Sequence, residues 1–311
     1  MGDTTACFCI PWRARQHFIK DKFGQVRTVM PSVTKTLGAA ALIVSLALPA
    51  RPAAPQNCDP RDFMNEPLSA ASSHPVWVQA IALAFPQLQI LGSREFRIAY
   101  DGEIIAADPP SARAMPELIA APTVGDQFAI AYTLSRTLDL RATPYHDPGR
   151  ARHDGFLKLL YGAEPGVVEQ NLETVAAGPA LYRATRRHGV ACQLAAALAE
   201  IDLNDDRIAP LFAEVGGSYN WRRIAGTDRL SAHSYGIAID VNASIGGYWR
   251  WTGATEGKVG AYRNRVPWEL VETMERRGFI WGGKWHHFDG MHFEYRPDLI
   301  LYSRLTKGAE Q

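Results

Sequence analysis

Apolar and polar positions change their period several times along the chain. Val76 to Ala84 is almost wholly apolar and predicts a short helix. Phe96-Arg-Ile-Ala-Tyr100 and Glu103-Ile-Ile-Ala-Ala-Asp108 flank Asp101-Gly102, a strong two-residue turn signal, and predict a hairpin. Pro109 to Pro122 interrupts order, and the loose alternation from Phe128 to Leu140 predicts a strand. From Asp154 to Leu203 the period turns helical. Phe156, Leu159 and Leu160 lead into Tyr161-Gly162, while Val167, Val168, Leu172 and Val175 recur at helical spacing before Gly178 as a stop. Cys192 to Ile201 reads as an Ala/Leu helix, and Gly216 to Arg222 as a loop or strand edge. Pro267 to Arg277 predicts an amphipathic helix, with Pro suited to the first turn and Gly278 to the stop. Phe279 to Trp285 and Met291 to Tyr295 predict a strand pair turning at Asp289-Gly290. Helices first, then strands enclosing one helix, point to an α+β architecture: a small antiparallel sheet with flanking helices and an N-terminal extension.

The start of the chain has a different pattern. Lys35 precedes the apolar run Leu37 to Ala50, and Arg51-Pro-Ala-Ala-Pro55 follows. A basic flank, a short apolar stretch and small residues are the parts of a secretory signal peptide. The run is shorter than the roughly 20 residues that span a bilayer, so no stable membrane span is expected after processing. Met30 stands where such a signal would begin, which makes residues 1–29 an upstream extension or a misassigned start. The expected organisation is a signal region over 1–54, an N-terminal region of linker, hairpin and irregular chain over 55–153, and a main domain over 154–303. The protein is then secreted or periplasmic. Residues 55–75, rich in Pro, Asn, Asp and Ser, read as a linker. Cys7 and Cys9 would be lost on processing. Cys58 and Cys192 would remain, as a disulfide or as two unrelated thiols.

Composition narrows the class without naming it. The 311 residues are 47% hydrophobic and 21% charged, with a net charge of +1. That balance fits a globular protein and gives no electrostatic reason to expect nucleic acid or an anionic membrane as partner.

Candidate chemistry gathers in two stretches, Ser231-Ala-His233-Ser-Tyr-Gly236-Ile-Ala238-Ile-Asp240 and Asp289-Gly-Met-His292-Phe-Glu294-Tyr. Two imidazoles and a carboxylate are a sound ligand set for a catalytic zinc, leaving a fourth position for water whose pKa falls to roughly 7. His233 and Asp240 are seven apart, so a straight strand would send them to opposite faces; Gly236 is where a bend would serve. Asp289, three residues before His292, is the candidate general base and then acid. Glu294, on the same strand face as His292, is its rival.

Together these residues resemble the zinc D-alanyl-D-alanine carboxypeptidases of the VanY type and the related L-alanyl-D-glutamate peptidases. Their shared pattern, Ser-x-His-x-x-Gly-x-Ala-x-Asp followed by Asp/Glu-x-x-His, is matched at Ser231, His233, Gly236, Ala238 and Asp240, then at Asp289 and His292. The clear resemblance covers about residues 210–300, with weaker likeness at Val124-Gly-Asp-Gln-Phe128 and Asp147-Pro-Gly-Arg150. It implies the small α+β fold shared with the hedgehog signalling domain, zinc on His233, Asp240 and His292, and Asp289 as the acid/base. It also implies an upstream arginine that steadies the substrate carbonyl as charge builds, Arg222 by position, with Arg223 beside it. Ser231 would hold a substrate carboxylate or brace its loop. Tyr219 and Trp285 are carried as further substrate contacts, although Trp281 and Trp285 also read as packing.

The implied substrate is a peptidoglycan stem peptide, cut at the terminal D-Ala–D-Ala bond or at an internal L-Ala–D-Glu bond. A zinc-stabilised module that binds wall peptides without cutting them is the reading from a different class, since a fold does not fix a function. His286 and His287 would support the site or touch substrate. His74, His146, His153 and His188 read as surface or capping residues, and the aromatics of 248–262 as a groove lining or as core plugs.

Overall fold

The computed structural model describes residues 58–68 and 73–309, so the signal region expected over 1–54 lies outside the described residues. Two small antiparallel sheets and a hairpin are set among short helices. Helix α1 (Val76–Ala84) buries Trp77, Val78, Ala80 and Ile81. The first sheet follows, ordered β1 (Gln89–Leu91), β2 (Phe96–Tyr100), β3 (Glu103–Ala107). Tyr100 pairs with Glu103, and both turn residues take positive φ, Asp101 at 52° and Gly102 at 83°, as the Asp-Gly signal requires. A short helix, α2 (Met115–Ala120), forms inside the Pro-rich stretch expected to be irregular, with Pro116 in its first turn where a missing N–H costs nothing.

Phe128 to Leu140 does not form the expected strand. Instead, single side chains tie it to the body of the fold. The Tyr132 hydroxyl accepts from Trp281 N at 2.9 Å and donates to Glu275 at 2.5 Å, and Lys284 Nζ donates to the Thr133 carbonyl at 2.7 Å. Helices α3 (Asp154–Tyr161) and α4 (Pro165–Glu169) come next, the first capped by His153, whose Nδ1 accepts from Phe156 N at 3.0 Å. The helical stripe read across Val167 to Val175 ends at α4. Leu172–Ala177 is strand β4, paired with β5 (Ala180–Thr185). Val168, Leu172 and Val175 fit a helical spacing by coincidence; the buried positions that decide are Val175 and Ala177 opposite Tyr182 and Ala180, at a period of two. Helix α5 (Val190–Glu200) follows and buries Leu194 and Leu198.

The last sheet carries the chemistry. Its order is β6 (Ala238–Asp240), β8 (His292–Tyr295), β7 (Phe279–Trp281), all antiparallel, with Asp240 directly opposite His292. Helix α6 (Ala243–Gly246) leaves β6, and α7 (Trp268–Arg276) precedes β7, ending at Gly278 with φ 89°. β7 and β8 do pair as expected, but residues 282–291 between them are no tight turn: a 3-10 turn at Gly282–Lys284 and a loop bring Asp289 back so that its N donates to Gly282 O at 3.0 Å. Helix α8 (Pro297–Ala309) closes the chain and packs on α1.

The segment read as a linker is partly docked. Cys58 and Cys192 are bonded, with Cα atoms 5.3 Å apart, and Phe63 is wholly buried against Tyr295. Burying a side chain of that size contributes roughly 1.5–3 kcal/mol, so this stretch is held by more than its covalent tie. Among the described residues no helix is long and apolar enough to cross a membrane.

Candidate metal centre

Each residue of the candidate ligand set arrives on its own piece of backbone. Ala232–Tyr235 is a 3-10 turn that ends at Gly236, whose φ of 66° and ψ of 27° reverse the chain into β6. This is the bend the seven-residue spacing demanded, and it brings His233 and Asp240 to the same place. Asp240 is also bridged by Gly217, which exchanges backbone hydrogen bonds with it at 2.9 and 3.1 Å. A methyl group on Gly217 would fall within overlap distance of the Asp240 carboxylate. The Gly216–Arg222 stretch is therefore a strand edge at this point, and glycine is there because the Asp240 carboxylate lies against it.

His233, Asp240 and His292 offer ligand atoms that all lie within 4.8 Å of one another, and both histidines are buried. The ring nitrogens divide their work. His233 Nδ1 donates to the Ser218 carbonyl at 2.9 Å, leaving Nε2 turned to Asp240 Oδ2 at 3.2 Å. His292 Nε2 faces Glu294 Oε2 at 3.3 Å, leaving Nδ1 on Asp240 Oδ1 at 2.9 Å. Each imidazole thus spends one nitrogen on an anchor and turns the other inward, the arrangement that fixes metal-binding histidines. The donor set of two nitrogens and a carboxylate fits zinc.

Electrostatics agree with that fit. Burial would push His292 down, but hydrogen bonds to Asp240 and Glu294 outweigh it and raise the ring to about 9. Burial alone would raise Asp240, and the two imidazoles reverse this, holding it well below the usual carboxylate range. A cation at the cluster competes with the proton these carboxylates hold on His292. Glu294 is likewise kept ionised: against the cost of burial, the Arg152 guanidinium and His292 hold it low. Arg152 forks onto both Glu294 oxygens. Glu294 is thus committed to orienting His292.

Asp289 differs. Burial pushes its carboxyl up, the Asp240 charge adds to that, and His292, Arg150 and His233 oppose it. Its backbone is pinned by the Asp289 N–Gly282 O bond, by His292 N donating to Asp289 O at 3.1 Å, and by a bridge to Tyr248. Its side chain makes no hydrogen bond among the described residues.

The other sequence-derived residues are distributed around this centre. Ser231 is buried, and its backbone links Arg222 O at 3.0 Å to Ser234 N at 2.9 Å. Arg222 is exposed and lines a cleft of about 410 Å³ with Asp154, Lys158, Glu164, Trp221, Arg223, Asp228 and Leu230, a cleft that includes none of the three ligands. Tyr219 donates to Glu169 at 3.1 Å and lies under Arg183. Trp285 is buried, with its ring 5.6 Å from His292 and Arg150 stacked over it at 4.7 Å. His287 is bound at both nitrogens, to Asp147 at 2.6 Å and to Gly257 N at 2.8 Å, and so fastens the aromatic loop beside Asp289. His286 bonds the Arg141 carbonyl at 2.7 Å.

Sequence reasoning missed Asp147, Arg150 and Arg152. The Asp147-Pro-Gly-Arg150 segment was their one signal, and a separation of 142 residues hides the Arg152–Glu294 contact.

With this geometry in hand, comparison with known proteins adds one finding. Residues 225–295 match a family model described as D-alanyl-D-alanine carboxypeptidase. That segment contains His233, Asp240, His292 and Asp289. The match makes that segment similar to a family of carboxypeptidases. No curated protein and no solved structure matches the chain.

Proposed function

Taking the carboxypeptidase-family segment over 225–295 as premise, we propose that the chain is a zinc D-alanyl-D-alanine carboxypeptidase that trims peptidoglycan stem peptides. The observation that carries this is the convergence of His233, Asp240 and His292 beside an Asp289 carboxylate that makes no side-chain hydrogen bond among the described residues. In this reading the three residues hold zinc. Zinc bound there supplies a Lewis acid that polarises a peptide carbonyl and brings a water's pKa near 7.

The chain's own residues do the rest. Asp289 accepts a proton from the attacking water and returns it to the leaving amine. Its burial beside Asp240 favours the protonated form, which suits the second half of that shuttle. Glu294, held by Arg152, keeps His292 turned with Nδ1 inward, and the Ser218 carbonyl does the same for Nε2 of His233. Tyr248 and Trp249 wall the Asp289 side, their loop fastened by His287.

The bonded Cys58–Cys192 pair supports an oxidising compartment, and with it a secreted or periplasmic protein. The test is digestion of purified stem peptides by the zinc-loaded protein, read by mass spectrometry beside an Asp289→Ala variant. Loss of a terminal alanine with the parent protein alone is the expected result. Release of an L-alanine end would make it an endopeptidase, and intact peptides with a folded, zinc-loaded protein would contradict the peptidase reading.

A further inference from the structure

Helix α3 places an acid and a base, Asp154 and Lys158, four residues apart on one face. Such neighbours ordinarily close into an ion pair, and these two do not. Both are half-buried, and both line the cleft of about 410 Å³. Asp154 Oδ2 accepts from Leu230 N at 3.3 Å, while Oδ1 is buried with no hydrogen-bond partner. Arg229, whose charge bears on Asp154, spends Nη1 on the Arg150 carbonyl at 3.2 Å. Three further side chains of the cleft, Lys158, Glu164 and Arg222, make no hydrogen bond or ion pair among the described residues. On its rim Arg223 and Asp228, both exposed, are matched to each other at 3.6 Å.

Carboxylates and cations therefore line one cleft without spending themselves on each other. A ligand of a single sign would be repelled by half of them. A group that carries an ammonium and a carboxylate close together satisfies both kinds, the ammonium on Asp154 and Glu164, the carboxylate on Lys158 and Arg222, through charge-assisted hydrogen bonds. The buried Asp154 Oδ1 is the sharpest part of this demand, because a carboxylate oxygen shut away from water without a donor is costly.

The cleft wall is bonded to the turn that carries His233. Ser231 N donates to the Arg222 carbonyl at 3.0 Å, Arg222 N donates to Ser234 Oγ at 2.9 Å, and Asn220 N donates to the His233 carbonyl at 3.2 Å. In a peptide bound at that centre, the residue before the one being cut lies one Cα–Cα step away, roughly 3.8 Å, and its side chain has only this turn to cross. We propose that the cleft is a specificity subsite for a diaminodicarboxylic residue at that position, and that it takes the ammonium and carboxylate at the end of the residue's side chain. This rests on the peptidase reading above and narrows it. Peptides with a diaminodicarboxylic residue are preferred to those with lysine, which offers the ammonium alone, because lysine leaves Lys158 and Arg222 unmatched.

The experiment uses the full chain carrying Asp289→Ala, loaded with zinc so that binding is read without turnover. Three peptides of the form N-acetyl-X-D-alanyl-D-alanine are titrated calorimetrically, with X as meso-diaminopimelate, lysine or norleucine. Affinity should fall about tenfold from the first to the second, and about tenfold again to the third. Lys158→Met should erase the gap between diaminopimelate and lysine and keep the gap between lysine and norleucine. Asp154→Asn should erase the second gap. Asp154 also holds Leu230 N, so should that variant fold poorly, the exposed Glu164→Gln reads the same gap, which should narrow. Equal affinity for the three peptides, undetectable binding included, or a Lys158→Met protein that weakens all three alike, would overturn the subsite. The graded order in a protein that cuts none of the peptides would sink the peptidase and leave the subsite standing; cleavage of all three at equal kcat/KM by the unsubstituted chain would do the reverse.

Discussion

Asp240 shows how narrowly single residues define the centre. Its carboxylate is flanked by two imidazoles and by a glycine with no room for a side chain. Gly217→Ala should push Asp240 from its position and weaken zinc binding by at least about tenfold, read by competition with a chromophoric chelator. Glu294→Gln should weaken zinc binding by about 10–100-fold, because His292 loses the carboxylate that turns it. Asp289→Asn tests the opposite case: kcat should fall by about 10²–10⁴ while zinc content stays. Parallel loss of zinc in that variant would mean that Asp289 is a ligand and not a proton carrier. One of the two glycine roles was legible. The seven-residue spacing called for a bend at Gly236, but nothing in the sequence said that Gly217 would lie against a carboxylate 23 positions away.

At the scale of elements, legibility followed the range of the interactions. Helix α7 and the β2–β3 hairpin are set by local signals, a proline and glycine at the helix ends and Asp-Gly at the turn, and both form where read. Strand β4 was misread because its identity comes from pairing with β5, and the 128–140 stretch because its ordering comes from side chains on distant elements. One such tie is the buried Lys284–Glu275 pair at 2.5 Å, which joins α7 to the turn leading back to Asp289. Lys284→Met should destabilise the fold by about 3 kcal/mol in urea unfolding, since it strands a buried carboxylate, and adding Glu275→Gln should recover part of that.

A second junction is pH-sensitive. His188 joins β5 to α5 and is packed among Phe85, Tyr100 and Tyr161. Burial lowers its ring, the Leu160 carbonyl partly offsets this, and Arg187 lowers it further, to about 4. The unfolded chain takes that proton near pH 6.5. The His188 contribution is complete above pH 6.5 and is lost as pH falls through about 4, on the order of 3 kcal/mol in all. His188→Asn, a residue that tolerates the φ of 52° found here, should flatten the stability–pH curve in that window.

Over the whole molecule, the site is assembled from segments far apart in sequence. Asp147, Arg150 and Arg152 precede His233, yet they hold His287, Trp285 and Glu294 in place. The motif residues were legible because the chemistry restricts their types and spacing. The supporting residues were not, because an arginine on a distant loop has no local signature. The Cys58–Cys192 bond closes a loop of 134 residues and pins the first described segment to α5. Its reduction, or Cys192→Ser, should lower stability by about 3–5 kcal/mol, measured as urea midpoints with and without reductant.

The central claim, that His233, Asp240 and His292 hold one catalytic zinc, is tested most directly by counting metal in the full-length protein and in His292→Ala by elemental mass spectrometry. One tightly held zinc per parent chain, lost in the variant while the fold persists, is the predicted result. A folded parent that takes up no zinc, or a His292→Ala protein that keeps it equally well, would contradict the account.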